Sequence, residues 1–346
     1  MTSRERVLTA FDHREPDRVP VWLGASPEFM KKARKYFGVD TDEEARVKFG
    51  DDFRRVLPKY NGPKFPLSNG ATCRSAFGIE RHGYGCGQPL TPAPLKGATL
   101  EQVESYQWPD PNWMDVSHVR KEIEQWEGKY AILGGDWSPF WHDLIDLLDM
   151  EHLFYAMYDT PEVIESILTH ATDFYATVSE RMFEEAGDLI DIFFIGNDFG
   201  SQIGPLMGPP QFEEFIMPHL KRLIDLGHRY DLKVQMHCCG GIRELIPLLT
   251  DAGLDAIHAV QPDCIGMDLK ELKTEFGDKI VFNGGIDSHH VLTTGTPAQV
   301  RQRTREVLAI MAPGGGYVAG ASHDYILKET PVENVMAMFD TIVGRD

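Results

Sequence analysis

The sequence has few cysteines, few basic side chains and no long apolar run. Its 346 residues include five cysteines, and 34 Lys and Arg stand against 53 Asp and Glu, which gives a formal net charge of −19 at pH 7. Five scattered cysteines in a chain of this length are too few for a disulfide framework. The acidic balance argues against binding to nucleic acid or to a membrane surface, because both need clustered Lys and Arg.

No stretch reaches the roughly 18–20 apolar residues that span a membrane, and no apolar signal region follows the N-terminus, so a cytoplasmic protein is expected.

Most of the chain alternates between strand-like and helix-like patterns. From about Tyr130, short apolar runs are separated by amphipathic stretches of helical length, which is typical of β-α-β units and a parallel sheet. The predicted strands are residues 19–23, 131–134, 192–195, 233–236, 256–260, 280–282 and 317–319, and the predicted helices include residues 161–185, 210–230, 242–252, 268–276 and 297–311.

These strands number one fewer than an α/β fold of the (β/α)8 TIM barrel type requires. We predict this barrel, with the remaining strand inside residues 58–111, a segment rich in Gly and Pro. An open doubly wound sheet is the alternative, but no Gly-rich phosphate-binding loop follows the first strand. Residues 1–114 are predicted to form an N-terminal extension of helices and loops that contributes to the barrel. Residues 115–346 are predicted to form its main part, in one domain overall.

Polar side chains stand beside glycines at the carboxyl ends of six predicted strands, where the active sites of parallel barrels lie. Turn chemistry explains any one of these positions but explains all six poorly. We therefore predict a pocket with Asp198 and Asp136 as catalytic carboxylates, a loop-capping role being the alternative for each. The predicted substrate-binding residues are Asn197, Gln202, Gln261 and Asp287.

A His-Cys-Cys run at residues 237–239 follows one of these strands. Because side chains alternate along extended chain, His237 and Cys239 are expected to point to one side and Cys238 to the other. Imidazole and thiolate together favour Zn²⁺, although a buried thiol beside a histidine is the alternative. A third ligand has to come from another loop, and His323, at another strand end, is the predicted one.

Several motifs together resemble the uroporphyrinogen decarboxylase superfamily over nearly the whole chain. They are RERV at 4–7, PDRVPV at 16–21, MHCCGG at 236–241, FNGGID at 282–287, GGGY at 314–317 and TPVEN at 330–334. The resemblance implies a distorted (β/α)8 barrel with a cleft at the carboxyl ends of its strands, and an enzyme.

Within this superfamily, the chain is more similar to the cobamide-dependent methyltransferases than to the true decarboxylases. The latter carry an arginine-containing loop of the RQAGRY type after the first strand, where this chain has LGASPEF at 23–29. The methyltransferase resemblance implies zinc held by His-x-Cys and a later cysteine. His237 and Cys239 match the first two ligands, but no cysteine follows Cys264. His323 aligns with a histidine that the decarboxylases keep.

The methyltransferase resemblance implies methyl transfer between a corrinoid on a partner protein and a thiol or small methylated substrate. The alternative is a decarboxylase-type lyase or a metal-free tetrapyrrole-binding protein. The oligomeric state stays open, a homodimer being one alternative.

We expect negligible decarboxylation when the protein is supplied with uroporphyrinogen. The missing arginines leave the substrate carboxylates without charge-assisted hydrogen bonds, each worth roughly 1.5–3 kcal/mol. The test is product analysis under anaerobic conditions. Turnover at enzymatic rates, on the order of 1 per second or faster, would contradict the methyltransferase interpretation.

Overall fold

The computed structural model describes residues 1–82, 88–90 and 92–346. Its main sheet has seven parallel strands whose spatial order follows the chain. They are β1 (Phe53–Arg55), β2 (Ala131–Gly134), β3 (Ile192–Gly196), β4 (Lys233–His237), β5 (Ala256–Val260), β6 (Val281–Ile286) and β7 (Tyr317–Ala321).

A short extended segment around Val21 connects the two edges of this sheet. Val21 forms a parallel bridge with Ala319 of β7, and the Asp52 N–H donates to the Val21 carbonyl at 3.1 Å. The Val21 N–H in turn donates to the Asp52 carboxylate at 2.9 Å. The sheet is therefore curled far enough for one segment to contact both of its edges.

The strands are buried on both faces, as a parallel sheet requires. One face packs against an inner cluster that contains Trp22, Phe53 and Phe194. The other face contributes residues such as Phe193 and Met236 to a larger cluster that includes the helices. The alternation of Phe193 and Phe194 between the two clusters follows the period of two along a strand.

Helices fill the intervals between the strands. Predicted helices 161–185 and 297–311 are present as Pro161–Ala186 and Pro297–Met311. The other α-helices are Ser3–Phe11, Pro27–Phe37, Asp42–Phe49, Leu100–Glu104, Val119–Glu124, Phe140–Leu148, Met150–Asp159, Pro209–Gln211, Met217–Arg229, Ile246–Asp251, Leu269–Phe276 and Val332–Val343. Shorter 3-10 segments are Pro111–Trp113, Gly187–Leu189 and Arg243–Leu245, and π-helical turns are Phe212–Ile216 and Ser288–Thr293.

The strand expected inside residues 58–111 is found before that segment, as β1. With two arginines, Arg54 and Arg55, this strand does not look apolar in the sequence. The fold accommodates them because both guanidinium groups stack on aromatic rings. Arg54 lies 3.7 Å from the ring centre of Tyr130, and Arg55 lies 4.5 Å from that of Trp137. The described part of 58–111, which excludes 83–87 and 91, holds short antiparallel strands at Lys59–Tyr60, Cys73–Arg74, Glu80–His82 and Gln88–Pro89. Further short strands are Met114–Asp115, Gly200–Ser201 and Gly204–Pro205.

None of the helices in the described ranges combines the length and the apolar character of a membrane span.

We expect Asp52→Ala to destabilise the protein by about 3–5 kcal/mol, because it removes the buried carboxylate that Arg6, Arg18 and the Val21 N–H share. Asp52 is fully buried, accepts from Arg6 at 2.8 Å and from Arg18 at 2.8 Å, and binds the Val21 N–H. Asp17→Ala is the control, since Asp17 also pairs with Arg6 but its side chain is 41% exposed; about 1 kcal/mol or less is expected. Urea unfolding measures both, and equal losses would contradict the prediction.

Candidate metal centre

Three potential ligands meet where β3 and β4 end. His237 is the last residue of β4, Cys239 lies two residues further on, and Asp198 follows β3. The His237 Nε2 lies 3.3 Å from the Cys239 Sγ and 3.4 Å from the Asp198 Oδ1. The same Asp198 oxygen accepts the Cys239 N–H at 2.8 Å. We call Asp198, His237 and Cys239 the candidate centre.

The two cysteines of the run point in opposite directions, as the period of two predicts. Cys238 is 1% exposed, and its Sγ accepts the Phe199 N–H at 3.2 Å. Cys239 is partly exposed, whereas His237 is buried. The candidate centre therefore has a solvent-accessible side at Cys239 and Asp198.

The donor atoms of the candidate centre fit a zinc ion. Zn²⁺ binds thiolate, imidazole and carboxylate at roughly 2.0–2.3 Å, so tetrahedral donors lie roughly 3.3–3.6 Å apart. The measured separations of 3.3 and 3.4 Å agree with this spacing. Three protein ligands leave a fourth position for substrate or water, as in catalytic zinc sites.

Ionisation in the candidate centre is also suited to a cation. Burial alone would lower the pKa of His237, but Cys239 and Asp198 raise it well above the usual value. Burial opposes ionisation of Asp198, yet hydrogen bonds from His142 and His237 lower its pKa below the ordinary range. Burial raises the pKa of the Cys239 thiol. A positive charge is thus favoured between Asp198 and Cys239, and a divalent ion would supply it.

His323, the predicted third ligand, is not part of this group. Its Nδ1 accepts the Tyr325 N–H at 3.1 Å within its own loop. It follows β7, which two strands separate from β4, and parallel strands lie roughly 4.8 Å apart. Asp198 follows β3, the direct neighbour of β4, and therefore lies beside His237.

The other predicted site residues occupy distinct positions. Asn197 is fully buried and holds two loops, because its side chain accepts the Trp141 N–H and donates to the Ser138 carbonyl. The side-chain Oε1 of Gln261 accepts the Gly240 N–H at 2.6 Å, next to Cys239. Gln202 is exposed.

A cavity of about 280 Å³ brings together three of the sequence-predicted residues. Gln261, Asp287 and His323 all line it. Asp287 also caps the following helical turn by accepting the His289 and His290 N–H groups. Gln261 connects this cavity to the loop of the candidate centre through Gly240.

Asp136 lies in a second group of acidic residues, behind the end of β2. Burial raises the pKa of Asp136 to about 6, and burial likewise raises that of Asp143 to about 6. The Tyr175 hydroxyl donates to Asp143. The Asp136 Oδ2 has no hydrogen-bond partner among the described residues. Both carboxyls are therefore expected to titrate near pH 6.

Sequence reasoning missed two residues in contact with His237. The His258 Nδ1 lies 3.1 Å from the His237 Nδ1, and the Trp137 ring packs on the His237 imidazole with centroids 5.4 Å apart. Gly196 makes room for this indole, because a Cβ there would overlap its ring atoms. His258 lies within an apolar run, where a histidine gives no signal until strand register is known.

A curled parallel α/β sheet with polar side chains at the carboxyl ends of its strands is typical of the class of α/β enzymes whose active sites lie at these strand ends. The family model for uroporphyrinogen decarboxylase (URO-D) matches residues 74–344. The chain belongs to this family, as the sequence motifs predicted.

Its relatives include both methyltransferases and decarboxylases. The methylcobamide:CoM methyltransferase MtbA of Methanosarcina acetivorans is 22% identical, over 98% of this chain and 97% of the relative. The uroporphyrinogen decarboxylase of Actinobacillus succinogenes is 22% identical, over 98% and 96%. A solved methyltransferase structure from Methanosarcina mazei, 20% identical, superposes with a TM-score of 0.72 and covers 99% of both chains, which shows a shared fold. This chain is therefore an enzyme.

We expect the free energy of unfolding to fall less between about pH 4 and pH 6 in Asp143→Asn than in the unmodified protein. A carboxyl whose pKa rises from 3.8 to about 6 on folding stabilises the fold below pH 4 and loses this contribution as pH rises through 6. The full difference is roughly 3 kcal/mol. Urea unfolding across this range measures it, with Glu213→Gln, an exposed carboxyl, as the control. Parallel curves for Asp143→Asn and the unmodified protein would contradict the assignment.

Proposed function

We propose that the protein is a zinc-dependent methyltransferase that moves a methyl group between a corrinoid on a partner protein and a thiol or small methylated substrate. The observation that carries this proposal is the convergence of Asp198, His237 and Cys239 within 4.8 Å of one another. Relatives named methylcobamide:CoM methyltransferase, aligned over 98% of the chain, support it.

In this proposal the His237 Nε2, the Cys239 Sγ and the Asp198 Oδ1 hold the ion. When bound, Zn²⁺ lowers the pKa of a coordinated thiol, so that a thiolate is available at neutral pH. Asp198 is thus a ligand rather than the base predicted from sequence. Its second oxygen faces the His142 Nε2 at 3.3 Å, which fixes the carboxylate plane.

The remaining predicted residues are proposed to handle substrate and protons. Gln261, Asp287 and His323 line the cavity beside the candidate centre and are proposed to bind the small substrate. Asp136, whose pKa lies at about 6, is proposed as a proton donor or acceptor. Asn197 keeps the loops after β2 and β3 together, and Gln202 lies at the exposed rim.

We also propose that the curled sheet is the (β/α)8 barrel expected from sequence. Residues 20–22 then take the position of the missing strand between β7 and β1, through the Val21–Ala319 bridge. In this interpretation the arm 1–114 contributes β1 and this connection, and residues 115–346 contribute the rest of one domain.

A decarboxylase-type lyase is the second candidate. Decarboxylase relatives align over nearly the whole chain at the same 22% identity, and Arg55 stacks on Trp137 beside the candidate centre. That activity needs no zinc, so the metal content distinguishes the two candidates.

We expect tag-free protein to bind about one zinc per chain, and Cys239→Ala and Asp198→Asn to lose it, because two ligands hold Zn²⁺ too weakly. Cys238→Ala is the matched control, since its Sγ faces Phe199. His323→Ala is expected to keep the metal. Elemental analysis after dialysis measures the content.

Two outcomes would contradict the proposed centre. One is zinc retained in both Cys239→Ala and Asp198→Asn, and the other is no zinc in the unmodified protein. Loss of zinc in His323→Ala would instead restore His323 as a ligand. For the activity, demethylation of methylcobalamin by added thiols, followed by its absorbance, is expected in the zinc-loaded protein and not in Cys239→Ala.

A further inference from the structure

We propose that His258 is a positioning residue that sets the tautomer of His237. It accepts a hydrogen bond from the His237 Nδ1–H, so that the His237 Nε2 can face Asp198 and Cys239 without a proton when a metal is bound. This inference rests on the proposed metal centre, because only a metal ligand requires a free Nε2.

The two imidazoles face each other because of strand register. His237 of β4 and His258 of β5 are paired residues of adjacent parallel strands. Their Nδ1 atoms lie 3.1 Å apart, which is hydrogen-bond distance. His258 is fully buried and His237 is 4% exposed, so water does not compete for this contact.

One proton has to lie between the two Nδ1 atoms, since two bare nitrogens repel and two N–H groups clash. If His258 donated it, the neutral His237 would carry its single ring proton on Nε2 and could not bind a metal there. If His237 donates it, the Nε2 is free and points to the Cys239 Sγ at 3.3 Å. Metal binding therefore requires His258 to be the acceptor.

The surroundings of His258 favour this acceptor role. In a neutral acceptor the other nitrogen, Nε2, carries the proton, and this atom has no hydrogen-bond partner among the described residues. The ring packs in T-shaped geometry against Trp22 and Phe194, both with centroids 5.4 Å away. Buried apolar surroundings disfavour an imidazolium, so His258 has one ring nitrogen that can accept a hydrogen bond.

Two further groups lie beside these rings. An oxygen of buried Asp324 lies within 4.8 Å of a ring nitrogen of both His237 and His258. Trp137 packs on the His237 ring, so the imidazole is fixed from one side by the indole and at its Nδ1 by His258.

Two substitutions of His258 separate this role from simple core packing. Asn places a carbonyl oxygen near the position of the His258 Nδ1 and can accept the His237 N–H, whereas Leu fills the space without an acceptor. We expect His258→Leu to weaken Zn²⁺ affinity roughly 10- to 100-fold, and His258→Asn to restore it to within a few-fold of the unmodified protein. Competition with a chromophoric chelator measures the affinity of the full chain.

The matched control is Gln235→Met. Gln235 is fully buried in the same strand two residues before His237, and its side-chain oxygen accepts a hydrogen bond from the Asn283 amide at 3.2 Å. We expect this change to affect stability but to leave Zn²⁺ affinity unchanged. Affinity in His258→Leu equal to that of the control, or in His258→Asn as low as in His258→Leu, would overturn the inference.

The unmodified protein offers a test that does not depend on folding of the variants. With ¹⁵N-labelled histidine and bound Zn²⁺, we expect the His237 Nδ1 to show the chemical shift of a protonated nitrogen and the His258 Nδ1 that of an acceptor. The reverse pattern would overturn the inference.

The proposed function and this inference fail in different ways. If zinc were bound by His237, His258 and Asp324 instead, Asp324→Asn would lose the metal while Cys239→Ala kept it, and both ideas would be wrong. If Cys239→Ala loses zinc but His258→Leu binds it normally, the metal centre stands and only the role of His258 is refuted.

Discussion

The parallel pairing of β3, β4 and β5 is the constraint on which the candidate centre depends. This register sets Gly196, His237 and His258 side by side. A glycine at 196 gives Trp137 room to pack on His237, and a histidine at 258 meets the other side of the same ring. A shift of one residue in β4 would turn His237 and Cys239 to the helical side of the sheet, because successive side chains alternate between its faces.

The candidate centre also depends on a balance of charges. The centre puts a carboxylate and a thiol around one buried imidazole in a chain of net charge −19. Burial opposes charge on each group, so the arrangement is favourable only when a positive charge lies among them. A proton on His237 supplies that charge in the free protein, and a metal ion can replace it.

The site combines residues that face the ligand position with residues that hold the surrounding loops in place. Asn197 joins the loops after β2 and β3, and Gln261 holds Gly240 beside Cys239. Polar residues at strand ends thus divide into those that face the cavity and those whose hydrogen bonds go to backbone. Both kinds look alike in sequence, since glutamine, asparagine and aspartate serve either purpose at a turn.

The sequence by itself determined the alternation of strands and helices, the family, and the pairing of His237 with Cys239, because these follow from local periodicity and from motifs. It did not determine the place of β1, whose arginines stack on Tyr130 and Trp137, or the contact between His237 and His258. It also predicted His323, rather than Asp198, beside His237 and Cys239. That choice depends on which strand lies beside β4 and on how far the sheet curls, and only the tertiary structure decides distances between residues remote in the chain.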